Sequence, residues 1–326
     1  MARVLVIGGT LFIGRALVEQ LLERGDEVVI MHRGPGTPFG DRVAEIRCDR
    51  NDIAGVQAAL DGSAFDIVYD NVYDWQRGTS AEQVTAAAAA VAAGGALRRY
   101  VFTSSIAVYG PGEDFDERAA LVSGDYPDRY GLQKAESERA LFRLHAEAGL
   151  GVATLRPAFI YGPHNPFDRE AFFWDRILAG RPVIIPGDGA RTMQWVHVGD
   201  VARGALRAAD SDVANGNAYN LASQPLTQVE FVQALARAAG REVSLVHVPR
   251  ERIEAAGGGF MAPPLYFGAY LDLPPTTVRT ERVGTELGLE LTPLEEGLRA
   301  TYAWYRQQQR PRPDFGWEDS LLALAH

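Results

Sequence analysis

The stretch "RVLVIGGTLFIGRALVEQLLERGDEVVIMHRG", residues 3–34, constrains the fold more than any other. Residues 3–9 are a short β-branched run that ends in glycines, the pattern of a buried strand. Residues 12–25 place Ile13, Leu17, Leu21 and Leu22 at helical spacing and stop at Gly25. A second strand follows over 27–34. Two strands joined by one helix make a β-α-β unit, and such a crossover builds a parallel sheet. The alternation continues with strands at 43–49, 65–72, 98–105 and 151–162, and helices at 52–62, 80–95 and 130–149. Strands that alternate with helices predict an α/β fold, a doubly wound parallel sheet covered on both faces.

After about Pro163 the pattern loosens into a mixture of helix, short strand and turn. Residues 1–165 read as a dinucleotide-binding (Rossmann) domain, to which 191–223 return. Residues 166–190 and 224–326 read as a smaller C-terminal α/β substrate lobe. The aromatic, Gly- and Pro-rich run 257–275 suits a loop or lid better than a flexible linker. The cluster Phe172, Phe173, Trp174 reads as core or lobe wall. Formal net charge is -10, which argues against a general nucleic-acid binder. The single cysteine, Cys48, excludes an intramolecular disulfide and suits a reducing, cytoplasmic setting. No segment has the ~18 uninterrupted apolar residues of a membrane span. The apolar N-terminus lacks the pattern of a signal peptide. His197 and Asp200 invite a metal reading, but no metal is expected: Asp200 reads as the cap of the next helix.

The glycines of "VIGGTLFIG", Gly8, Gly9 and Gly14, lie between the first strand and the first helix. Such a turn lets backbone approach a pyrophosphate, which the free N–H groups and positive dipole end of the helix then bind. A dinucleotide is the expected ligand, lying along Gly8, Thr10, Leu11, Phe12, Ile13 and Gly14. An NAD site usually ends its second strand in an acid that binds the ribose hydroxyls. Here the residues are His32 and Arg33, and Arg33 can pair with a 2′-phosphate. NADP is therefore favoured over NAD. Asp49 and Arg50 end the third strand, where an adenine edge would lie.

Lys134 is the only lysine in the chain, and Tyr130 stands four residues before it. Residues i and i+4 share one helix face. Free tyrosine has a pKa near ~10, too high for easy acid–base work, and a neighbouring ammonium lowers it. An ammonium is also compact enough to donate to ribose hydroxyls, which a planar guanidinium does less well. Ser104 and Ser105 end the fifth strand at its carboxyl edge, where open α/β sheets bind ligands.

The segments "GGTLFIG", "FTSSIAVYG", "YGLQK", "LRPAFIYGP" and "VHVGDVA" resemble, in order, those of the extended short-chain dehydrogenase/reductase family, the group of NAD-dependent epimerases and dehydratases. The resemblance covers residues 1–225 well and the remainder in layout only. It implies Ser105, Tyr130 and Lys134 as the catalytic set, with Lys134 on the nicotinamide ribose. Asn71, Val72, Tyr73, Thr103, Ser104 and Pro157 would adjoin the cofactor. It also implies a homodimer through the helices at 80–95 and 130–149. There are departures. Leu11 replaces the middle glycine of the turn, and Tyr73 would crowd the cofactor. Phe159, and Gln194 within Met193–Trp195, stand where polar groups hold a nucleotide diphosphate. Arg191 is the substitute cation. No acid pair accompanies Ser104–Ser105–Ile106, which argues against 4,6-dehydration. The turn also resembles that of chloroplast stem-loop-binding proteins. The expected function is NAD(P)-dependent oxidation, reduction or epimerisation of a small molecule's hydroxyl or carbonyl. The alternative is a catalytically silent regulatory or RNA-associated protein on the same fold.

Overall fold

The computed structural model describes residues 1–167, 169–259, 268 and 272–323. Its centre is a seven-stranded parallel sheet, as the alternation predicts. The strands are β1 (Arg3–Ile7), β2 (Glu27–His32), β3 (Ala44–Arg47), β4 (Ile67–Asp70), β5 (Arg99–Thr103), β7 (Val152–Pro157) and β12 (Asn217–Leu221), in the order β12-β7-β5-β4-β1-β2-β3. Short two-stranded ladders lie outside it: β6 (Gly112–Phe115) with β15 (Thr276–Val278), and β10 (Thr192–Met193) with β13 (Leu226–Thr227). The chain leaves β3 at one edge of the central sheet and re-enters beside β1 as β4. The strand order therefore reverses at the β1/β4 junction, where a crevice opens outside the carboxyl ends. Asn71 N–H donates to the Ile7 carbonyl (3.1 Å) and closes that junction.

Two apolar layers cover the sheet. One face packs against α1 (Phe12–Arg24) and α6 (Val198–Asp210), with Leu17, Val18, Leu21, Val201 and Ala205 inside. The other packs against α2 (Ile53–Leu60), α3 (Ala81–Ala92) and α4 (Arg129–Ala148) through Val56, Val84, Ala87 and Leu141. A third cluster forms the second lobe. There α5 (Arg169–Leu178) and α7 (Gln228–Ala238) meet β9 (Val183–Pro186) and β14 (Leu245–Val248), with Phe172, Phe173 and Trp174 buried among them.

The long strand expected at 151–162 is broken. Pro157 cannot donate a ladder hydrogen bond. Beyond it Ala158 N–H still reaches Leu221 O (2.9 Å), while Phe159 N–H turns to Gln194 O (3.2 Å). Residues Phe159–Tyr161 then pair as β8 with β11 (Trp195–His197), outside the central sheet. Met193 and Trp195 join the core of the second lobe, while Val196 beside them in β11 already packs into the core of the sheet. In the other direction, Val283, Leu287 and Leu289 pack into the sheet's core although they lie in the lobe's stretch of sequence. The expected cap also differs. His197 Nδ1 accepts from Gly199 N–H (3.2 Å) at the start of α6. Asp200 is buried and accepts from Thr292 N–H (2.9 Å) and Thr292 Oγ1 (2.7 Å). Most of the lid expected at 257–275 lies outside the described residues.

Candidate active site

Gly14 lets α1 sit against β1: a Cβ there would stand 1.8 Å from the Gly8 carbonyl oxygen. Gly8 itself has φ +88°, and its N–H donates to Met31 O (2.9 Å). Phe12 is held at φ +41°, a conformation rare for a bulky side chain. Leu11 is the N-cap of α1, makes no side-chain cap and is 66% exposed. The first-turn N–H groups thus meet no capping side chain at Leu11, as an anion-binding helix end requires.

Tyr130 is positioned by two local devices. Asp128 caps α4 by accepting from Tyr130 N–H (3.1 Å) and Gly131 N–H (3.0 Å). Gly131 lets the first turn of α4 press on the 3-10 turn Ile106–Tyr109, since a Cβ there would lie 2.5 Å from Ala107 O. Ser105 begins that 3-10 turn and accepts from Ala107 N–H (3.2 Å) through Oγ. The helix carrying Tyr130 and the strand end carrying Ser105 are therefore joined at one place.

Lys134, one turn on, is only 4% exposed. Its ammonium donates to the Thr103 carbonyl (2.6 Å) and lies 4.6 Å from the centroid of the Phe102 ring. Burial pulls its pKa down to about 8, against the opposing charge of Asp70. Around it, Thr103 Oγ1 donates to Asn71 Oδ1 (2.5 Å). Asn71 Nδ2 and Ser104 Oγ are buried and have no hydrogen-bond partner among the described residues. Buried polar atoms rarely stay unpaired, so two such groups at the carboxyl edge suit a polar ligand. Together with the glycine turn, they fit a dinucleotide.

Other expected residues are committed elsewhere. His32 is buried and bonds Glu45 Oε2 (2.7 Å), away from the ribose position expected for it. Arg50 is buried against Asp70 Oδ2 (2.5 Å) and Gln83 O (2.6 Å), so its guanidinium supports the sheet and not an adenine edge. Gln194 donates to Ser223 O (2.9 Å) and Val278 O (3.0 Å) and accepts from Val278 N–H (2.7 Å). Its amide is thereby used by backbone, which removes the expected substrate contact. Arg191 is held by Asp272. Pro157 closes β7 opposite Leu221, and Phe159 tilts against Trp195.

The carboxyl end of β2, where the sequence leads one to expect adenosine, is more elaborate than expected. Arg33 Nη1 donates to Asp74 Oδ2 (2.9 Å), and Arg77 Nη2 donates to the same oxygen (2.7 Å) and to Asp49 (2.6 Å). The Arg77 N–H, aided by both guanidiniums, holds the Asp74 carboxyl well below the usual carboxylate range. Asp74 is buried while both arginines are exposed, so the cluster presents cations outward. Arg77 was not anticipated. Neither was Trp75, which stacks on Tyr130 (centroids 4.8 Å apart, 25°). Tyr73 meets Tyr130 edge to face (4.7 Å) and donates through its hydroxyl to Gln133 Oε1 (2.9 Å). One residue more of the "DNVYD" segment would have brought Trp75 into view, just past the same strand end.

A reversing parallel sheet, a glycine turn at its switch point and a buried lysine one helical turn after a tyrosine define a Rossmann-type dinucleotide-binding enzyme fold. The chain belongs to the NAD dependent epimerase/dehydratase family, whose model matches residues 4–222. It is 29% identical over 266 residues to the chloroplast stem-loop binding protein of 41 kDa b of Arabidopsis thaliana, covering 76% of this chain and 67% of that one. It is 28% identical over 341 residues to the dTDP-4-dehydro-6-deoxy-D-allose reductase of Streptomyces bikiniensis (94% and 97%). Among solved structures, a UDP-glucose 4-epimerase of Thermus thermophilus in complex with NAD superposes with a TM-score of 0.73 at 25% identity, over 94% of this chain and 99% of that one.

Proposed function

We propose that this chain is an NADP-dependent oxidoreductase or epimerase acting on a hydroxyl or carbonyl of a small molecule. The observation that carries the reading is the buried ammonium of Lys134, one helical turn beyond Tyr130 and anchored on the carbonyl of Thr103. Tyr130 takes or gives the proton at the substrate oxygen, and the Lys134 charge stabilises its phenolate form. Ser105 uses a lone pair on Ala107 N–H, which leaves its own O–H to donate to the same oxygen. The glycine turn, Asn71, Ser104 and Lys134 would hold the cofactor. When bound, its nicotinamide supplies the two-electron donor or acceptor. The alanine-rich face of α3 and α4, with Ala88, Ala89, Ala92 and Ala148 along a shallow groove, would seat a second copy in a homodimer.

Arg33 and Arg77 converge on one carboxylate oxygen, and together they would bind a 2′-phosphate bidentately. Calorimetric titration with NADP+ and NAD+ tests this. We expect NADP+ to bind more tightly, and Arg33→Ala to weaken it by about 10- to 100-fold, the range of a hydrogen bond to a charged group. NAD+ affinity should stay within about threefold. Preference for NAD+ would remove the role given to Arg33. The likeness to a stem-loop binding protein favours one other reading, an RNA-associated chain. Salt-sensitive RNA binding without binding of either dinucleotide would support it instead.

A further inference from the structure

Four aromatic rings from three separate segments meet at the candidate active site. Tyr73 and Trp75 follow β4, Tyr130 opens α4, and Phe167 precedes α5 in the second lobe. Trp75 stacks on Tyr130 and makes edge contacts with Tyr73 (5.1 Å, 72°) and Phe167 (5.7 Å, 89°). With all three contacts made, Trp75 is still 48% exposed. Among the described residues it is the one aromatic in the group of large exposed hydrophobic side chains. An apolar surface of the indole therefore stays open directly beside the group that would exchange the proton.

The polar residues expected to hold a nucleotide diphosphate are spent. Gln194 is satisfied by backbone, and Arg191 is tied to Asp272. Phe159 adds a further ring where a polar group was expected, and it continues into Trp195, which stacks flat on Phe231 (3.7 Å, 3°). Ligand sites commonly combine an apolar, aromatic wall with a few placed polar groups. Here the wall is Tyr73, Trp75 and Phe167, and the polar groups are the hydroxyls of Ser105 and Tyr130. Tyr73 is itself fixed through Gln133, so the wall is tied to the helix that carries Tyr130 and Lys134.

We propose that the substrate is a ketone or secondary alcohol carried on a planar aromatic skeleton, which seats on the open surface of Trp75 and presents its oxygen to Tyr130. The proposal rests on the reading of Tyr130 given above and names the substrate class for that site. A skeleton of fused rings matches the size of an indole, and stacking on an aromatic side chain is worth enough to dominate selection.

The test is calorimetric titration of the full chain, with and without NADP+, using 2-acetylnaphthalene and UDP-glucose as probes. We expect 2-acetylnaphthalene to bind more tightly than UDP-glucose. Trp75→Ala should weaken the aromatic probe by about 10- to 100-fold, and Trp75→Phe, which keeps a ring, by less than about fivefold. The phenylalanine variant guards against a fold defect in the alanine variant. The readout is binding, so it is independent of whether Tyr130 performs turnover, and failure of one reading leaves the other measurable. Equal affinity of wild type and Trp75→Ala for the aromatic probe would overturn the proposal. So would tighter binding of UDP-glucose than of 2-acetylnaphthalene by the wild-type chain.

Discussion

Tyr130→Phe is expected to lower kcat by about 10²- to 10⁴-fold, the usual contribution of a positioned acid–base group. The change removes one oxygen and keeps the ring. That ring is held between Tyr73 (4.7 Å, edge to face) and Trp75 (4.8 Å, stacked), so the packing around it should survive. The helix start is held by Asp128 through backbone N–H groups, which the substitution does not touch. Cofactor affinity should change by less than about tenfold, the range of one neutral hydrogen bond. Steady-state kinetics on any substrate that the wild-type chain turns over would decide it. A variant within about tenfold of wild-type kcat would remove Tyr130 from the chemistry.

The second large effect lies two turns further along the same helix. Glu138 is fully buried and receives Arg156 Nε (3.0 Å to each carboxylate oxygen) and Nη2 (2.5 Å). The Arg156 Nη1 donates to the Tyr109 hydroxyl (2.7 Å), which in turn donates to Asn220 Oδ1 (2.8 Å). This network ties α4 to β7 and to the 3-10 turn behind Ser105. The carboxylate keeps the buried guanidinium firmly charged, more than offsetting its burial. Glu138→Gln keeps the volume and strands that charge. We expect a loss of about 3–5 kcal/mol in stability, the usual cost of breaking a buried pair from one side. Replacing both partners, as Glu138→Leu with Arg156→Met, should cost much less, because no charge is left behind. Chemical denaturation of the three proteins separates these outcomes. A loss below about 1 kcal/mol in Glu138→Gln would mean that water already reaches the pair.

The parts of this fold that were legible in the sequence are those with local causes. The strand–helix alternation up to residue 162 is a matter of hydrophobic period and glycine stops, and six strands of the seven-stranded sheet follow from it. Tyr130 and Lys134 were legible because i, i+4 spacing places them on one helix face whatever else the chain does. Ser105 was legible by its position, two residues past the end of a buried strand. What escaped depends on partners distant in the chain. Arg50 stands at a strand end, as expected, yet Asp70, twenty residues on, captures it inside the sheet. Gln194 is claimed by the backbone of Val278, 84 residues away. Trp75 carries no local mark, since its stack needs both the start of α4 and the loop bearing Phe167. The cap of α6 went to His197 over Asp200 because Thr292 supplies the donors that turn Asp200 inward.

The lone lysine also provides the sharpest probe of the site. Lys134 is the only lysine in the chain, so protein grown with ¹³C-labelled lysine gives a single side-chain ε-carbon signal in an NMR spectrum. Burial should make that signal titrate at about 8, charged below and neutral above, in place of the ordinary ~10.4 of an exposed lysine. Saturating NADP+ should then move the signal, because the cofactor ribose would join the Thr103 carbonyl around the ammonium. A midpoint near ~10.4, with a signal that NADP+ leaves in place, would contradict a cofactor seated on Lys134 and with it the role assigned to Tyr130.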